Sequence, residues 1–297
     1  MKGGTPGAVA IGLVVIDKQP GWTSHDVVAA VRRCFGHRRV GHAGTLDPDA
    51  TGVLLVGLGR ATRLLRFLTA LDKEYTGEVV LGTATDTLDA SGAVVQRWEM
   101  GGVGLDQVRA AAAGLTGAIE QVPPMVSAVK VGGQPLHKLA RQGVEVERAP
   151  RPVTVYGFEV GQPVEPGVFP ITVTCSSGTY VRTLAADLGM ALGGGAHLRN
   201  LRRTRIGSFD VAQATRLGDL GPGDLLTPAE AMRDLDRATA DAEIARLVAR
   251  GLPLDRVSVG ADGEGPFALL DDSGRLLAVY EATETDRIRP VVVLAVH

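Results

Sequence analysis

The stretch GHAGTLDPDATGVL, residues 41–54, places the carboxylate of Asp47 in a tight loop between Gly44 and Gly52. An apolar run follows at once, and it predicts a buried strand near residues 53–58 that anchors the loop to the core. An ordinary Gly/Pro turn would explain a lone Asp-Pro-Asp. One histidine, two aspartates, two threonines and three glycines crowd into residues 41–52, which favours a loop that holds one acid in place.

Short apolar and amphipathic segments surround this loop. Alternating or continuous apolar runs predict strands, and apolar residues three or four apart predict helices. The predicted strands are 11–17, 74–83, 152–160 and 169–175. The predicted helices are 24–35 (capped by Thr23 or Ser24), 60–69, 105–117 and 178–194. The segment 126–143 is predicted to form a strand, a turn and a short helix. Because these elements alternate without regular βαβ repetition, we expect an α+β fold with a mixed, largely antiparallel sheet flanked by helices.

The chain is predicted to form two domains, residues 1–235 and residues 236–297. After residue 235 one helix (241–250) precedes short strands near 266–270, 276–280 and 290–296, which indicates a small β-rich domain. Residues 218–297 contain fifteen acidic residues and eight arginines, so the remainder of a chain of net charge −2 carries +5. An acidic surface repels an RNA backbone, and we therefore expect this part to contribute little to RNA affinity.

Composition indicates a cytoplasmic protein. The chain has 297 residues, 45% of them hydrophobic, and no apolar run approaches the roughly 20 residues that cross a bilayer. The N-terminal apolar stretch ends at Asp17 and Lys18 without a small-residue cleavage site, which makes it a poor signal peptide. Only Cys34 and Cys175 are present, as suits a reducing compartment. We expect no association with membranes.

Motifs for common cofactors fail in their details. The spacing from Asp47 resembles the start of a calcium loop, but Leu58 stands where a bidentate glutamate is required. Gly57 and Gly59 begin a dinucleotide motif that Thr62 interrupts, and no P-loop is present. The histidines lack the spacing of a metal-binding helix. We therefore expect no cofactor and no metal, so that side chains alone perform any chemistry.

Arginines form three separate clusters. Such clusters either meet across one groove that neutralises a phosphate backbone or serve only solubility, and the sequence leaves both open. The clusters are Arg32, Arg33, Arg38 and Arg39; Arg60, Arg63 and Arg66; and Arg199, Arg202, Arg203 and Arg205.

Six segments in order along residues 11–235 resemble the bacterial TruB-type tRNA pseudouridine synthases. They are KQPGWTSHDVV (18–28), GHAGTLDPDATGVL (41–54), KEYTGEVVLG (73–82), PPMVSAVKVGG (123–133), CSSGTYVRTLAADLG (175–189) and GAHLRNLRRTRIG (195–207). The resemblance implies a pseudouridine-synthase-like catalytic domain followed by a small RNA-contacting domain. It also implies an isomerase that turns uridine into pseudouridine in the T loop (TΨC arm) of tRNA without a cofactor.

The resemblance assigns roles to five residues, and the position of Tyr180, two residues before Arg182, makes it a sixth candidate. Asp47 matches the catalytic aspartate, and the sequence leaves open whether it attacks C1′, adds to C6 or assists base departure through a glycal. Arg182 matches the arginine that pairs with this acid, and Tyr75 matches the tyrosine that stacks on the target base and helps to move the C5 proton. Leu201 matches an apolar wall of the uracil pocket, and Tyr180 is expected to contact substrate only from the start of its helix.

His42 matches a histidine that helps to extrude the target nucleotide, an event that costs a few kcal/mol of stacking. The N-terminal segment departs from the family's Lys-Pro-x-Gly and reads Lys18-Gln19-Pro20-Gly21, so no role is carried over to Lys18 or to the proline.

The implied partner is the T arm of tRNA, with no obligate protein partner and a monomeric chain. One alternative is an RNA-binding, tRNA-folding chaperone that acts without catalysis. Another is an enzyme of the same family that acts on other RNA within a guided complex, which the bacterial-style motifs and the self-contained length disfavour.

Overall fold

The computed structural model describes residues 10–127, 130–136, 139, 142–144 and 146–294. The α-helices in chain order are α1 (Ser24–Phe35), α2 (Leu65–Ala70), α3 (Leu105–Ala113), α4 (Val181–Ala191), α5 (Pro228–Ala231) and α6 (Ala242–Ala249). The strands are β1 (Gly12–Lys18), β2 (Val40–Ala43), β3 (Thr51–Leu58), β4 (Lys73–Leu81), β5 (Thr83–Thr85), β6 (Val94–Arg97), β7 (Gly117–Gln121), β8 (Lys130–Val131), β9 (Gln134–Pro135), β10 (Arg151–Val160), β11 (Val168–Cys175), β12 (Ala196–Ile206), β13 (Phe209–Asp210), β14 (Asp236–Ala240), β15 (Leu254–Asp255), β16 (Phe267–Asp271), β17 (Leu276–Ala282) and β18 (Arg287–Val293).

A nine-stranded sheet forms the larger part of the molecule. Seven strands follow the order β1-β3-β12-β4-β11-β10-β7, while β2 pairs with β3 and β13 with β12. Only the β3–β12 pairing is parallel, and it is limited to Arg202 opposite Thr51 and Arg203 opposite Gly52. The predicted α+β fold with a mixed, largely antiparallel sheet is confirmed.

Strand β3 is apolar along almost its whole length because both of its faces are covered. Leu54 and Val56 pack with α1 on one face. Val53 and Leu55 pack on the other face with α2 and with residues of the second sheet. A strand buried on both sides has no need of alternating polar residues, which explains the continuous run in the sequence.

The start of α1 shows how the structure separates two candidate caps. Thr23 is the N-cap: its side chain accepts from the Asp26 amide while the Asp26 carboxylate accepts from the Thr23 amide, a reciprocal capping box. Ser24 lies inside the helix, and its buried hydroxyl turns to the loop that carries Asp47. Gly36, at φ 61°, ends the helix in the left-handed conformation.

The loop around Asp47 is shorter than predicted. The sequence indicated a loop over 41–52, whereas β2 (Val40–Ala43) pairs antiparallel with β3 and leaves only residues 44–50 as the hairpin connection. Gly41 has a low strand propensity, so the sequence did not predict a strand here; pairing with β3 stabilises β2 nevertheless. The consequence for the site is a loop held at both ends by the same sheet.

A second sheet, of five strands, lies near the C-terminal end in the order β14-β16-β17-β18-β15. Residues of this sheet, including Val279 and Val292, share one apolar cluster with Leu64 and Leu68 of the α2 region. Removing this part would therefore expose core residues of the larger part as well.

The second arginine cluster lies at this junction. Arg63 donates to the Val293 carbonyl at 2.8 Å, Arg60 donates to the Leu294 carbonyl at 3.5 Å, and Arg66 lies 3.9 Å from Glu281. The guanidinium groups of this cluster contact the chain's own second sheet, yet all three arginines remain exposed, so the choice between an RNA groove and solubility stays open for this cluster.

Two sequence predictions meet the limits of the described residues. Strands β8 and β9 confirm the strand and turn expected after residue 126, whereas the short helix expected before residue 143 lies partly outside the described residues, as do residues 1–9 of the N-terminal stretch. Among the helices that the structure describes, none has the length and apolar character needed to span a membrane.

Candidate active site

Asp47 and Arg182, 135 positions apart in sequence, meet in a two-point contact. Arg182 Nε lies 3.0 Å from Asp47 Oδ2, and Arg182 Nη2 donates to Asp47 Oδ1 at 3.3 Å. The Arg182 side chain is only 5% exposed, whereas the Asp47 side chain retains 38% of its surface. The acid is therefore held by a buried cation and still accessible to a substrate.

Four contacts fix the loop that carries Asp47. The Ser24 hydroxyl donates to the Leu46 carbonyl at 3.2 Å and accepts from the Leu46 amide at 3.0 Å. The Pro48 carbonyl accepts from Lys18 Nζ at 2.8 Å and from the Gly21 amide at 3.0 Å. The loop is anchored on both sides of the acid by groups from the β1–α1 connection and α1.

Lys18 is the residue of this anchor that the sequence did not single out. Its side chain is fully buried, and Nζ donates to three backbone carbonyls, those of Gln19, Trp22 and Pro48. Burial lowers the pKa of Lys18 to about 8, against the favourable charges of Asp49 and Asp47. The proline that is displaced by one position in this chain does not prevent Lys18 from anchoring the loop, because Lys18 binds main-chain oxygens.

We expect Lys18→Met to lower the free energy of unfolding by about 2–3 kcal/mol at pH 7, because three hydrogen bonds from a charged donor are lost. The pKa of Lys18 is about 8 in the folded chain and 10.5 ordinarily. Between these values the unfolded chain holds the proton more tightly, so the stability of the wild type relative to Lys18→Met should rise with pH across this window.

Urea unfolding of both chains at pH 7 and pH 9.5 measures this difference. Arg216→Met, which removes an exposed cation, is the control and should change stability by less than about 0.5 kcal/mol. A stability difference between wild type and Lys18→Met that is the same at both pH values would contradict the assignment of the low pKa to Lys18.

Arg182 is surrounded by acceptors besides Asp47. Its Nη1 donates to the Thr87 carbonyl at 2.8 Å and lies 3.4 Å from Asp89 Oδ2, while its Nη2 also donates to the Val126 carbonyl at 2.8 Å. Burial raises the pKa of Asp47, the neighbouring Arg182 opposes this rise, and Asp89 adds to it. The guanidinium is thus shared between two carboxylates and fixed by main-chain oxygens.

Asp89 is a second residue that sequence analysis missed. The segment TDTLDASG predicted only turn chemistry, and the structure shows that turn: Asp89 Oδ1 accepts from the hydroxyls of Thr87 and Ser91. The other carboxylate oxygen faces Arg182. The sequence offered no signal to separate this aspartate from an ordinary turn aspartate.

Tyr180 lies at the N-cap of α4, one residue before the helix begins. The buried side chain of Gln121 donates to the Tyr180 carbonyl at 3.1 Å and accepts from the Tyr180 amide at 2.7 Å. Tyr180 thus lies at the helix start, where the sequence required it for substrate contact, but its backbone is held by Gln121 and is not frayed. Both Tyr180 and Arg182 line the same cavity.

This cavity has a volume of about 280 Å³, and Asp47, Tyr75, Tyr180, Arg182 and Leu201 all line it. A second cavity, of about 450 Å³, shares Asp47, Arg182 and Leu201 with the first. Asp47 and Arg182 therefore lie between the two cavities and line both of them. Five of the six residues named from the sequence are brought together here.

Tyr75 belongs to the central strand β4, where it pairs with Val173 of β11 and with Arg203 of β12. Burial raises the pKa of its hydroxyl, and the adjacent Arg203 guanidinium opposes that rise. Arg203 lines the cavity with Tyr75 and is itself only 1% exposed. Its membership of an exposed RNA-binding cluster, suggested by the sequence, is wrong because it is a core residue.

His42 is the one predicted site residue that the structure does not bring into either cavity. It lies on β2 with its ring 5.5 Å from that of His25 in an edge-to-face arrangement. Burial lowers the pKa of His42 to about 4, and within the described residues its Nδ1 has no hydrogen-bond partner. His42 is therefore a neutral imidazole behind the Asp47 loop.

Within the described ranges, no group of three or more His, Cys, Asp or Glu side chains is arranged to hold a metal ion. The ionisable groups that line the first cavity, around Asp47, are one carboxylate, two buried guanidinium groups, two phenols and the buried amine of Lys73, whose pKa is lowered by burial to about 8. Such a set suits acid–base or nucleophilic chemistry.

Comparison with known proteins agrees with this geometry. A model of the TruB family pseudouridylate synthase N-terminal domain matches residues 32–181, and a model of the tRNA pseudouridylate synthase B C-terminal domain matches residues 182–244. A tRNA pseudouridine synthase B of Rhodococcus jostii is 46% identical over 282 residues, covering 93% of this chain and 91% of that protein. That of Thermobifida fusca is 44% identical over 97% of this chain and 99% of that protein.

Two solved structures with the same fold are chains of larger assemblies. A chain of a Cbf5-Nop10-Gar1 complex is 28% identical with a TM-score of 0.73, covering 96% of this chain and 84% of that one. A chain of an H/ACA RNP bound to a substrate RNA containing 2′-deoxyuridine is 25% identical with a TM-score of 0.71 and the same coverage. The resemblance predicted from the sequence motifs is confirmed: the chain belongs to the TruB family of pseudouridylate synthases.

Proposed function

We propose that this chain isomerises uridine to pseudouridine in the T loop of tRNA, with Asp47 as the catalytic group and without a cofactor. The observation that carries the proposal is the two-point contact between Asp47 and Arg182 beside a cavity lined by Tyr75, Tyr180 and Leu201. Its relatives are named as tRNA pseudouridine synthases, which supports tRNA as the substrate.

The cavity is recessed between the Asp47 loop and the start of α4, so a base within a folded RNA arm reaches it only after leaving its stack. Flipping costs a few kcal/mol and less in a loop than in a duplex, which favours a loop uridine as the target. In this proposal Tyr75 and Leu201 contact the uracil ring on its arrival, and Asp47 reaches the sugar or the ring beside it.

The remaining assignments belong to the same proposal. Residues 1–235 supply catalysis and residues 236–297 supply a small RNA-contacting part. His42, outside the cavity, acts during extrusion of the nucleotide rather than on the reacting base. The chain acts as a monomer on the T arm of tRNA without an obligate protein partner.

The test uses two T-arm RNAs that carry tritium at uracil C5, one in a single loop uridine and one in a single stem uridine. Formation of the C1′–C5 bond expels the C5 hydrogen, so we expect release of tritium from the loop-labelled RNA alone, and release should persist after dialysis against EDTA. Nuclease digestion and chromatography should show pseudouridine at that position.

RNA binding without release of tritium from either substrate would overturn the catalytic proposal and leave the chaperone alternative. Release from the stem-labelled RNA would overturn the assignment to the T loop while leaving the isomerase. Loss of release after EDTA treatment that returns with a divalent cation would contradict action without a cofactor.

A further inference from the structure

Arg203 has the largest of the fully buried side chains, and its guanidinium forms part of the active-site cavity. Nε donates to the Val53 carbonyl at 2.7 Å, and Nη2 donates to the Gly44 carbonyl at 3.0 Å. Among the described residues, no carboxylate lies within ion-pair distance of it, in contrast to Arg182 with its two carboxylates. The family resemblance assigned this arginine no role in the reaction.

A buried cation without an acid carries a desolvation cost that two neutral acceptors offset only in part. A hydrophobic residue would fill the same space without that cost. The protein nevertheless keeps the charge beside the cavity, where the buried amine of Lys73 is also held by main-chain carbonyls. The positive charge itself is therefore expected to have a task there.

The backbone fixes where this charge stands. Gly52 lies opposite Arg203 in the parallel pairing of β3 and β12, and a Cβ at Gly52 would fall 2.1 Å from the Arg203 carbonyl oxygen. Gly52 also has φ +98°, a conformation that other residues rarely adopt. The close approach of the two strands sets the Arg203 side chain between the Asp47 loop and β4.

The group that faces this charge is the Tyr75 hydroxyl. Tyr75 and Arg203 are direct partners in the register of β4 and β12, and both line the same cavity, which places the guanidinium and the phenol at one site. Burial raises the pKa of Tyr75, as do the nearby Asp47 and Cys175, and Arg203 is the group that opposes this rise. The arginine thus favours negative charge on the phenol oxygen.

The isomerisation needs a proton acceptor at this point. Once C5 has bonded to C1′, it still carries its hydrogen. That hydrogen leaves as a proton, its bonding pair returns to the ring as the C5–C6 double bond, and N1, freed from the sugar, ends with a proton. Because the pKa of Tyr75 is raised, its resting form is the phenol, which must first give its proton to solvent. The phenolate then takes the C5 proton and is a phenol again, while N1 takes a proton from solvent, so that the protons balance.

We infer that Arg203 is a positioning residue of the reaction: anchored by two backbone carbonyls, it turns the Tyr75 hydroxyl to the cavity and supports the charge with which that oxygen takes the C5 proton. This inference rests on the proposed function. It assigns separate tasks to the two buried arginines, Arg182 to the acid and Arg203 to the phenol.

The test measures single-turnover release of C5 tritium at saturating protein, together with the affinity for T-arm RNA. We expect Arg203→Gln to slow release by about 10²-fold, in the range of a lost acid–base or charge-stabilising group, at nearly unchanged affinity. Arg203→Lys keeps the charge but not the planar fork and should be intermediate. Thr204→Val, which loses one hydrogen bond to Glu74 on the same strand, is the matched control and should stay close to wild type.

Chemical rescue separates this role from a structural one. Fluorination makes a phenol more acidic, so 3,5-difluorotyrosine at position 75 should restore Arg203→Gln to within about tenfold of wild type by offsetting the lost charge. A deficit that fluorination leaves unchanged would overturn the inference. If Arg203→Gln fails to fold in a thermal melt, the same comparison is made with Arg203→Lys. Absence of release from the wild type would overturn the proposed function itself, which is a different outcome.

Discussion

Asp47→Asn should abolish release of C5 tritium from T-arm RNA, with a rate loss greater than about 10³-fold, while RNA affinity stays within about threefold of wild type. Asparagine has the shape of aspartate, so the loop held by Ser24 and Lys18 is expected to persist. The neutral amide lacks the negative oxygen that each of the three chemical routes requires. Asp47→Ala should behave in the same way.

The control for this prediction is Asp49→Asn, two residues away on the same loop and exposed. Single-turnover release and RNA binding are measured for all three variants beside the wild type. Residual release in Asp47→Asn within tenfold of wild type would show that the carboxylate is not the catalytic group. Loss of RNA binding in that variant would instead assign Asp47 to recognition.

Arg182→Met should cost both stability and activity. Removing one partner of a buried ion pair typically lowers the free energy of unfolding by about 3–5 kcal/mol, because the remaining charges are left without compensation. Here two carboxylates, Asp47 and Asp89, would face each other without the shared cation. Urea unfolding measures the stability loss, and tritium release measures the activity, which we expect to fall by at least about 10²-fold.

The same variant should change the dependence of the reaction on pH. Burial and Asp89 raise the pKa of Asp47, and Arg182 opposes them, so the pKa of Asp47 rises further when Arg182 is removed. The residual rate of Arg182→Met should therefore increase with pH as the acid ionises, whereas Asp89→Asn removes a contribution that raises this pKa and should shift the profile to lower pH. A residual rate that is independent of pH would contradict an ion pair whose function is to keep Asp47 charged.

Much of the fold could be predicted from local patterns. The apolar runs at residues 11–17 and 53–58 became β1 and β3, and the amphipathic 178–194 segment became α4, because each pattern matches the period of the element that it forms. The misjudged loop over 41–52 shows the limit. Strand β2 has Gly41 and a partly exposed histidine, and it exists because β3 lies beside it.

The residues of the site also fall into those that the sequence indicated and those that only the structure revealed. The family resemblance pointed to Asp47, Tyr75, Arg182 and Leu201, and the position of Tyr180 beside Arg182 added a fifth candidate; all five line the cavity. Sequence analysis missed Asp89 and left Lys18 and Arg203 without roles. Lys18 and Arg203 bind main-chain carbonyl oxygens, and Asp89 pairs with the same arginine as Asp47. Every residue has a main-chain carbonyl, so the sequence does not show which of them will accept such a bond.

The sequence by itself therefore determined the family, the α+β class and the position of the candidate acid Asp47, since these depend on residue types and on spacing along the chain. Only the tertiary structure decided which cation serves which group. Arg182 and Arg203 are both buried arginines, but Arg182 lies at the start of α4 beside two carboxylates, whereas Arg203 lies on β12 opposite Tyr75. Their difference arises from long-range strand pairing, which brings together positions more than a hundred residues apart.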